Sequence, residues 1–556
     1  MSEFFQDPPR LGNQYDDDAL LRAYLRWRLP ANVLAEVEPD LQRLGGRAAT
    51  DILVLGELAE ASPPRHVPYD AWGHRIDRIE TSDAWRELDR ISATEGIVAT
   101  AYERKHGALS RIHQFARLYL FAPSSALYSC PLAMTDGAAR FLEVHGDEST
   151  RSVFAHLTSR DPNEFWTSGQ WMTERTGGSD VASTSTIAAC EEADTFILYG
   201  SKWFTSATTS QVAMTLARIE GSAAGSHGLS VFLIKLRDRD GRLQHIRVER
   251  LKEKLGTRAL PTAELTLEGT PAQLVGGAGD GIRKIATLFN ITRVYNAVAA
   301  VAGMRRAVAL ASDYARRRRA FGKPLIEHPL HVETLAEMHL EVRAAFLLAF
   351  RVVELLGKEE CGDATESELR VLRFLIPITK LYTAKQAIAV TSEALEAFGG
   401  AGYLEDTGIP RMLRDAQVLS IWEGTTNILS LDALRAMERS DALGEWASDV
   451  RRRLARVKLP VLSPCCERTL NAVERIERYA ARAAVAGIEF QQAGARTFCH
   501  AIARTEAATL LLEHANAEGD QVAVTAAIRW LARELARLVD ADADHRAGSV
   551  ILESDR

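Results

Sequence analysis

Cysteine is scarce in this chain, with six among 556 residues. None stands in a C-x-x-C pair, and the nearest two, Cys465 and Cys466, are adjacent. Structural zinc wants spaced pairs and disulfide scaffolds want more cysteine, so neither is expected, no metal site is expected, and a reducing cytoplasm fits best. Long apolar runs are missing: none approaches the ~18 residues of a membrane span, so no span is expected. The opening MSEFFQDPPR has no basic stretch followed by an apolar one, so no secretory leader is expected. Positive charge is not in surplus either. Lys and Arg number 67 against 74 Asp and Glu, a net of −7. A surface that attracts phosphate backbone without sequence preference should be basic, so DNA binding is disfavoured. The glycine cluster GGAGDG (276–281) fits G-x-G-x-x-G in no register and reads as a flexible turn.

What is present is an ordinary globular balance, 46% hydrophobic and 25% charged, in a chain long enough for several domains. Residues 1–165 read as an extended arm followed by amphipathic helices such as AWRELDRISATEGIVATAYERK. From 166 to 275 the period shortens toward two, as in β-structure. Within it TFILYGSKWFTS reads as a hairpin with Gly200 and Ser201 at the turn. Residues 276–440 return to a helical period. Residues 441–556 form a helical tail in which Pro460 and Pro464 bound a linker. The tail holds 16 Lys and Arg against 17 Asp and Glu, a net of −1. Helices, then sheet, then helices is not the alternation of a dinucleotide-binding α/β fold.

Three segments carry candidate chemistry. MTERTGGSDVAS (172–183) offers two glycines, several hydroxyls and Asp180. It is either a plain polar turn or a loop that lets a flat ring and a phosphate approach closely, since glycine removes the Cβ barrier. Four arginines (316–319) precede FGKPLIEHP. They are either complements to a helix C-terminus or a clamp for a diphosphate. IWEGTTNI places Glu423 between an apolar run and a glycine, with Thr425 or Thr426 able to cap the following helix. Such a carboxylate is either a solvated surface group or, beside apolar walls, a proton acceptor.

Four segments in this order, MTERTGGSD, GSKWFTS, YARRRRAFGKPLIEHP and EALEAFGGAGYLEDTGIPRMLRD running into IWEGTTNI, give the chain from about 90 to 437 a resemblance to the acyl-CoA dehydrogenase superfamily. VERLKEKLGTRA, CPLAM, SIWEGTTNILSLDALRAM, the N-terminal extension and the helical tail are most similar to its AidB-like branch of adaptive-response flavoproteins.

The resemblance implies an α+β multidomain fold. An N-terminal helical domain (1–165), a central antiparallel β-domain (166–275) and a C-terminal four-helix bundle (276–440) would be followed by the additional helical tail (441–556). FAD is the implied cofactor. Met172, Thr173, Gly178, Ser179 and Asp180 would lie along it. An aromatic and a hydroxyl from 202–206 would face its ring: Phe204 and Ser206 in one register, Trp203 and Thr205 in the other. Arg318, Phe321, Glu396 and Gly400 would serve the flavin of a neighbouring subunit of a homotetramer, and Thr425 and Asn427 the adenine side. Glu423 matches the catalytic base, with Arg293 and Glu423 touching an acyl-CoA. Asn290 stands where the family commonly has Asp, and Glu396 where many relatives have Gln. An electron-transferring flavoprotein or other acceptor would take the electrons. The alternative reading is a flavoprotein of the DNA alkylation response that binds DNA, with little or no turnover.

Overall fold

The computed structural model describes residues 7–192, 195–538 and 547–553; the first six residues of the expected arm fall outside these. The chain divides into two compact units, one of Leu11–Asp17 and Glu36–Ala302, the other of Met1–Arg10, Asp18–Ala35 and Gly303–Arg556. Two helices, Ala31–Ala48 and Gly281–Arg317, contribute residues to both units.

In the first unit, helices Ser110–Phe121 and Ser129–His145 are buried nearly along their length. They are joined by a polar knot inside an apolar environment. Arg111 and Asp136, 1% and 0% exposed, pair at 2.6 Å. The Tyr295 hydroxyl donates to Asp136 at 2.9 Å, and Gln114 donates to both Asp136 and Tyr295. Buried charge persists only when paired and hydrogen-bonded in this way. This region also holds a hairpin absent from the helical reading, β1 (Arg65–Tyr69) and β2 (Arg75–Glu80).

The sheet comprises β3 (Ser168–Trp171), β4 (Ile187–Glu192), β5 (Thr195–Ser206), β6 (Val212–Ile219), β7 (Leu229–Lys235), β8 (Ile246–Leu251) and β9 (Thr262–Val275). The pairings β6–β4–β5–β9–β7–β6 close a circuit, with β3 on β6 and β8 on β9. Most are antiparallel, as expected, but β3 and β4 meet β6 in parallel. Trp171, Phe196, Leu198, Phe232, Ile234 and Leu265 fill one core of this sheet. A second core packs Met172, Met214, Leu216 and Val231 against Phe141, Leu142 and Leu288 of the helices.

The expected hairpin in TFILYGSKWFTS is one continuous strand, β5, paired along β9. Gly200 is there for a close approach: a Cβ at that position would lie 2.5 Å from the Thr186 hydroxyl on the neighbouring chain segment. GGAGDG is a turn, with Gly276, Gly277, Gly279 and Asp280 all at positive φ.

In the second unit, Gly281–Arg317 contributes its C-terminal half to a bundle with Pro329–Cys361, Glu366–Ala397 and Thr426–Arg439. Part of that first helix is apolar enough to cross a membrane by length and composition, yet 67% of the stretch is buried in protein, as in a core helix. Ser312 meets His339 at 3.0 Å, and the Tyr314 ring lies 4.7 Å from Phe398. Thr365 and Glu368 form a capping box that starts the third helix.

The tail adds Ala442–Leu454, Ser463–Ala486, Ile488–Glu518 and Gln521–Leu531. Pro464 sits in the first turn of Ser463–Ala486, just past the segment between the two helices, where its missing N–H has no helical partner to lose. Arg453, 6% exposed, reaches Glu506 at 2.6 Å, Glu513 at 2.6 Å and Asp449 at 3.2 Å. Glu506 also accepts the indole N–H of buried Trp446 at 3.0 Å. Arg529 and Arg533 run a ladder onto Glu333, Glu337 and Glu341 of the bundle. Arg453→Met would strand fully buried Glu506 and should cost about 3–5 kcal/mol. Chemical denaturation of the full chain measures it, with Arg451→Met, whose partner Glu477 is part-exposed, as the mild control.

Candidate active site

The sheet unit carries two site segments that fix each other. At the start of 172–183, Glu174 is 2% exposed and accepts five hydrogen bonds. Ser185 donates its N–H and hydroxyl at 2.7 and 2.6 Å. Thr186 donates its N–H and hydroxyl at 3.2 and 2.5 Å. The Lys202 ammonium donates at 2.9 Å, and to the Leu216 carbonyl at 3.1 Å. Burial on its own would raise the Glu174 pKa, but the Lys202 charge and the hydroxyl bonds outweigh it and lower it to about 2. The Trp203 N–H donates to the Thr173 carbonyl at 2.9 Å. With its root pinned, the loop turns outward: Gly178, Ser179 and Asp180 are exposed and Met172 is buried. Gly177 adopts φ +128°, and a Cβ on Gly178 would fall 2.5 Å from the Thr173 hydroxyl. Both glycines therefore maintain a shallow backbone cradle.

A β-bulge decides which side chains β5 presents. Simple alternation from Lys202 would turn Phe204 inward. The register slips between Lys202 and Thr205, so Thr205 is buried instead and donates to the Ala263 carbonyl at 2.7 Å. Phe204 is thereby turned out, 57% exposed. Ser206 is half-buried and bonds Thr262 at 3.1 Å. Trp203 is half-buried, with the Lys252 ammonium 3.6 Å from its ring centroid. Arg293 is half-buried on the long helix.

The helical unit carries the rest. Helix Gly281–Arg317 ends in a two-strand turn, Arg319–Ala320 against Lys323–Pro324. Phe321 and Gly322 form its tip at φ +49° and +86°, and Phe321 is 98% exposed. Arg318 is half-buried at the base of this turn. Glu396 and Gly400 are exposed at the end of Glu366–Ala397. Glu423 occupies the corner between helices Ile409–Leu419 and Thr426–Arg439. It is half-buried and left-handed at φ +56°, followed by Gly424 at +101°. Thr425 caps the second helix through Ile428 N–H, and Thr425 and Asn427 are exposed.

Two residues escaped the sequence reading. Glu174 looked like one more polar group in a polar loop. Lys380 is 0% exposed and donates to the carbonyls of Trp422 and Gly424 at 2.6 and 2.7 Å. A lone cation inside the apolar run LIPITKLYTA was its available signal.

Four family models match the chain in succession: the adaptive response protein AidB N-terminal domain over 7–162, the acyl-CoA dehydrogenase middle domain over 169–270, the acyl-CoA dehydrogenase C-terminal domain over 279–438, and the acyl-CoA dehydrogenase 11 C-terminal domain-like model over 441–555. The chain is 43% identical to acyl-CoA dehydrogenase family member 11 of Caenorhabditis elegans over 92% of this chain and 86% of that one. It is 33% identical to the putative acyl-CoA dehydrogenase AidB of Escherichia coli K12 over 73% and 75%. Its structure superposes on that of C. elegans ACDH-11 in complex with C11-CoA with TM-score 0.95 and 41% identity, covering 100% of this chain and 96% of that one.

The Lys202–Glu174 pair sets a measurable pH dependence. A carboxylate whose pKa is lowered by folding stabilises the fold above its ordinary 4.5, and that stabilisation is lost as pH falls toward about 2. Urea unfolding should show stability declining across this window, and Glu174→Gln should flatten the decline. Lys202→Met, which strands the buried carboxylate, should cost about 3–5 kcal/mol at neutral pH.

Proposed function

Because the chain belongs to the acyl-CoA dehydrogenase family, we propose that it is an FAD-dependent oxidoreductase that removes hydrogen across the α,β bond of an acyl-CoA thioester. The observation that carries this reading is the Glu423 corner, a carboxylate projecting from a backbone held in an unusual conformation. The residues present suit FAD. The sheet unit would hold it with the Gly177–Gly178 cradle, Thr173, Ser179 and Asp180. The β5 bulge favours Phe204 and Ser206 as the ring-facing aromatic and hydroxyl, since Thr205 is buried against Ala263. Thr425 and Asn427 stay assigned to the adenine side, as the family resemblance implies. When bound, FAD supplies the acceptor for the β-hydride.

The chain's own part is placement and proton transfer. The Glu423 backbone N–H would hold the thioester oxygen, stabilising negative charge as it develops there. The Glu423 carboxylate would receive the α-proton as general base. Arg293 would meet the CoA portion. The exposed rings of Phe321 and Tyr403, 98% and 88% accessible, favour a homotetramer in which a neighbouring subunit covers them, with Arg318, Glu396 and Gly400 on the same duty.

The DNA-binding alternative draws its support from the AidB relationship. The tail opposes it: in RRRLAR, Arg451 pairs with Glu477, Arg452 with Asp449, and Arg453 with Glu506 and Glu513. Phosphate contacts would have to displace those carboxylates. Any DNA binding should be weak and should vanish with added salt; nanomolar affinity persisting at high salt would contradict this.

The purified protein should carry about one FAD per chain. Anaerobic addition of C11-CoA, alongside other chain lengths, should bleach it. Glu423→Gln should retain the flavin spectrum and lose about a hundredfold or more in the rate of bleaching. If no acyl-CoA bleaches the wild type, the dehydrogenase reading fails. If the glutamine variant bleaches as fast, Glu423 is not the base.

A further inference from the structure

Glu423 and Gly424 lie at φ +56° and +101°. For a non-glycine residue that conformation costs on the order of 1 kcal/mol or more and persists only where the surroundings over-determine it. Lys380 provides that determination. It stands in the middle of helix Glu366–Ala397, fully buried, and its ammonium donates to the Trp422 carbonyl at 2.6 Å and the Gly424 carbonyl at 2.7 Å. The two acceptors flank Glu423 on either side. Hydrogen bonds to a charged donor are about twice as strong as neutral ones, and a buried ammonium deprived of them is heavily penalised.

The peptide plane adds a consequence. No cis peptide occurs among the described residues, so the carbonyl of Trp422 and the N–H of Glu423 point in opposite directions. With the carbonyl held on Lys380, the Glu423 N–H is turned to the side away from that helix. The same holds for the Gly424 carbonyl and the Thr425 N–H. Rotation of either peptide would break a bond to the buried ammonium.

We propose that Lys380 is a positioning residue for the proton-abstracting corner, its ammonium fixing both the direction of the Glu423 N–H and the backbone from which the carboxylate projects. This rests on Glu423 being the base, as proposed above. Lys380 acts through Glu423 and touches neither substrate nor flavin in this role.

The test uses the flavin-loaded full chain and two readouts. The first is hydrogen exchange of the peptide covering residues 420–428. The second is the anaerobic flavin-reduction rate at saturating C11-CoA, or whichever acyl-CoA bleaches the wild type. Lys380→Met keeps the side-chain length and removes the donors. It should raise exchange at the corner at least tenfold and slow reduction about tenfold to a hundredfold, with flavin content unchanged, in line with the cost of a small misplacement at a reacting centre. Lys380→Arg, which restores a cationic donor, should recover part of both. In the Glu423→Gln background, Lys380→Met should slow reduction by a smaller factor than it does in the wild type, because the carboxylate it positions is gone while the backbone N–H it orients remains.

Wild-type exchange and reduction in Lys380→Met would overturn the proposal, as would effects that multiply in the double variant. Should Lys380→Met not fold, Lys380→Gln, whose shorter amide retains donors without charge, replaces it: faster corner exchange with slower reduction supports the proposal, and wild-type values of both overturn it. If Glu423→Gln reduces at the wild-type rate, it is the base assignment that fails, and corner exchange in the lysine variants still decides whether Lys380 fixes this backbone.

Discussion

An ammonium group taken out of water loses several kcal/mol of hydration, so it remains inside a protein only where oxygen atoms replace the lost solvent. Among the described residues two such groups are completely buried, Lys202 and Lys380. Each determines the backbone of a segment far from it in sequence. Lys202 requires Glu174 and the Leu216 carbonyl, and so roots the glycine loop on the sheet. Lys380 requires the carbonyls of Trp422 and Gly424, and so sets the corner at Glu423. Both segments contain backbone at positive φ, at Gly177 in the loop and at Glu423 and Gly424 in the corner. Charge buried at the root does what an apolar core does elsewhere.

Much of the molecule is legible in its residues because its signals are local. The change of period near residue 166, the capping threonine before helix Thr426–Arg439 and the positive-φ turn at GGAGDG each depend on a few neighbours. The failures have a common cause: they turn on contacts between distant segments. Gly200 resembles a turn residue, and only the nearness of Thr186 explains it. The choice between Phe204 and Trp203 depends on a bulge against β9, which period-two reasoning along β5 alone does not register. The parallel pairings of β3 and β4 on β6 are likewise matters of which strands become neighbours. The N-terminal hairpin escaped because Arg65–Glu80 is charged and short, with little alternation to announce it.

The site shows the same division. The motifs stand out by their order in the chain, whereas the buried charges that hold their backbone do not. Glu174 is one of several polar groups in a loop until Lys202, on a different strand, identifies it as the partner of a buried cation. Lys380 lies more than forty residues before the corner it controls, on a helix whose neighbouring residues are apolar.

In the proposed reaction, one rigid corner would carry both the acceptor of the proton and the donor to the thioester oxygen. A planar peptide links them: the Glu423 N–H belongs to the peptide that includes the Trp422 carbonyl, and the carboxylate leaves from the next Cα. Neither can be re-aimed without moving the other. Removing an α-proton and stabilising the negative charge that results must happen together, so groups that move as one body avoid the cost of ordering two separate segments at the moment of reaction. A lysine on the helix behind the corner is well placed for this, because it constrains the backbone from the side opposite the N–H and leaves the face toward the substrate to the groups that do the chemistry.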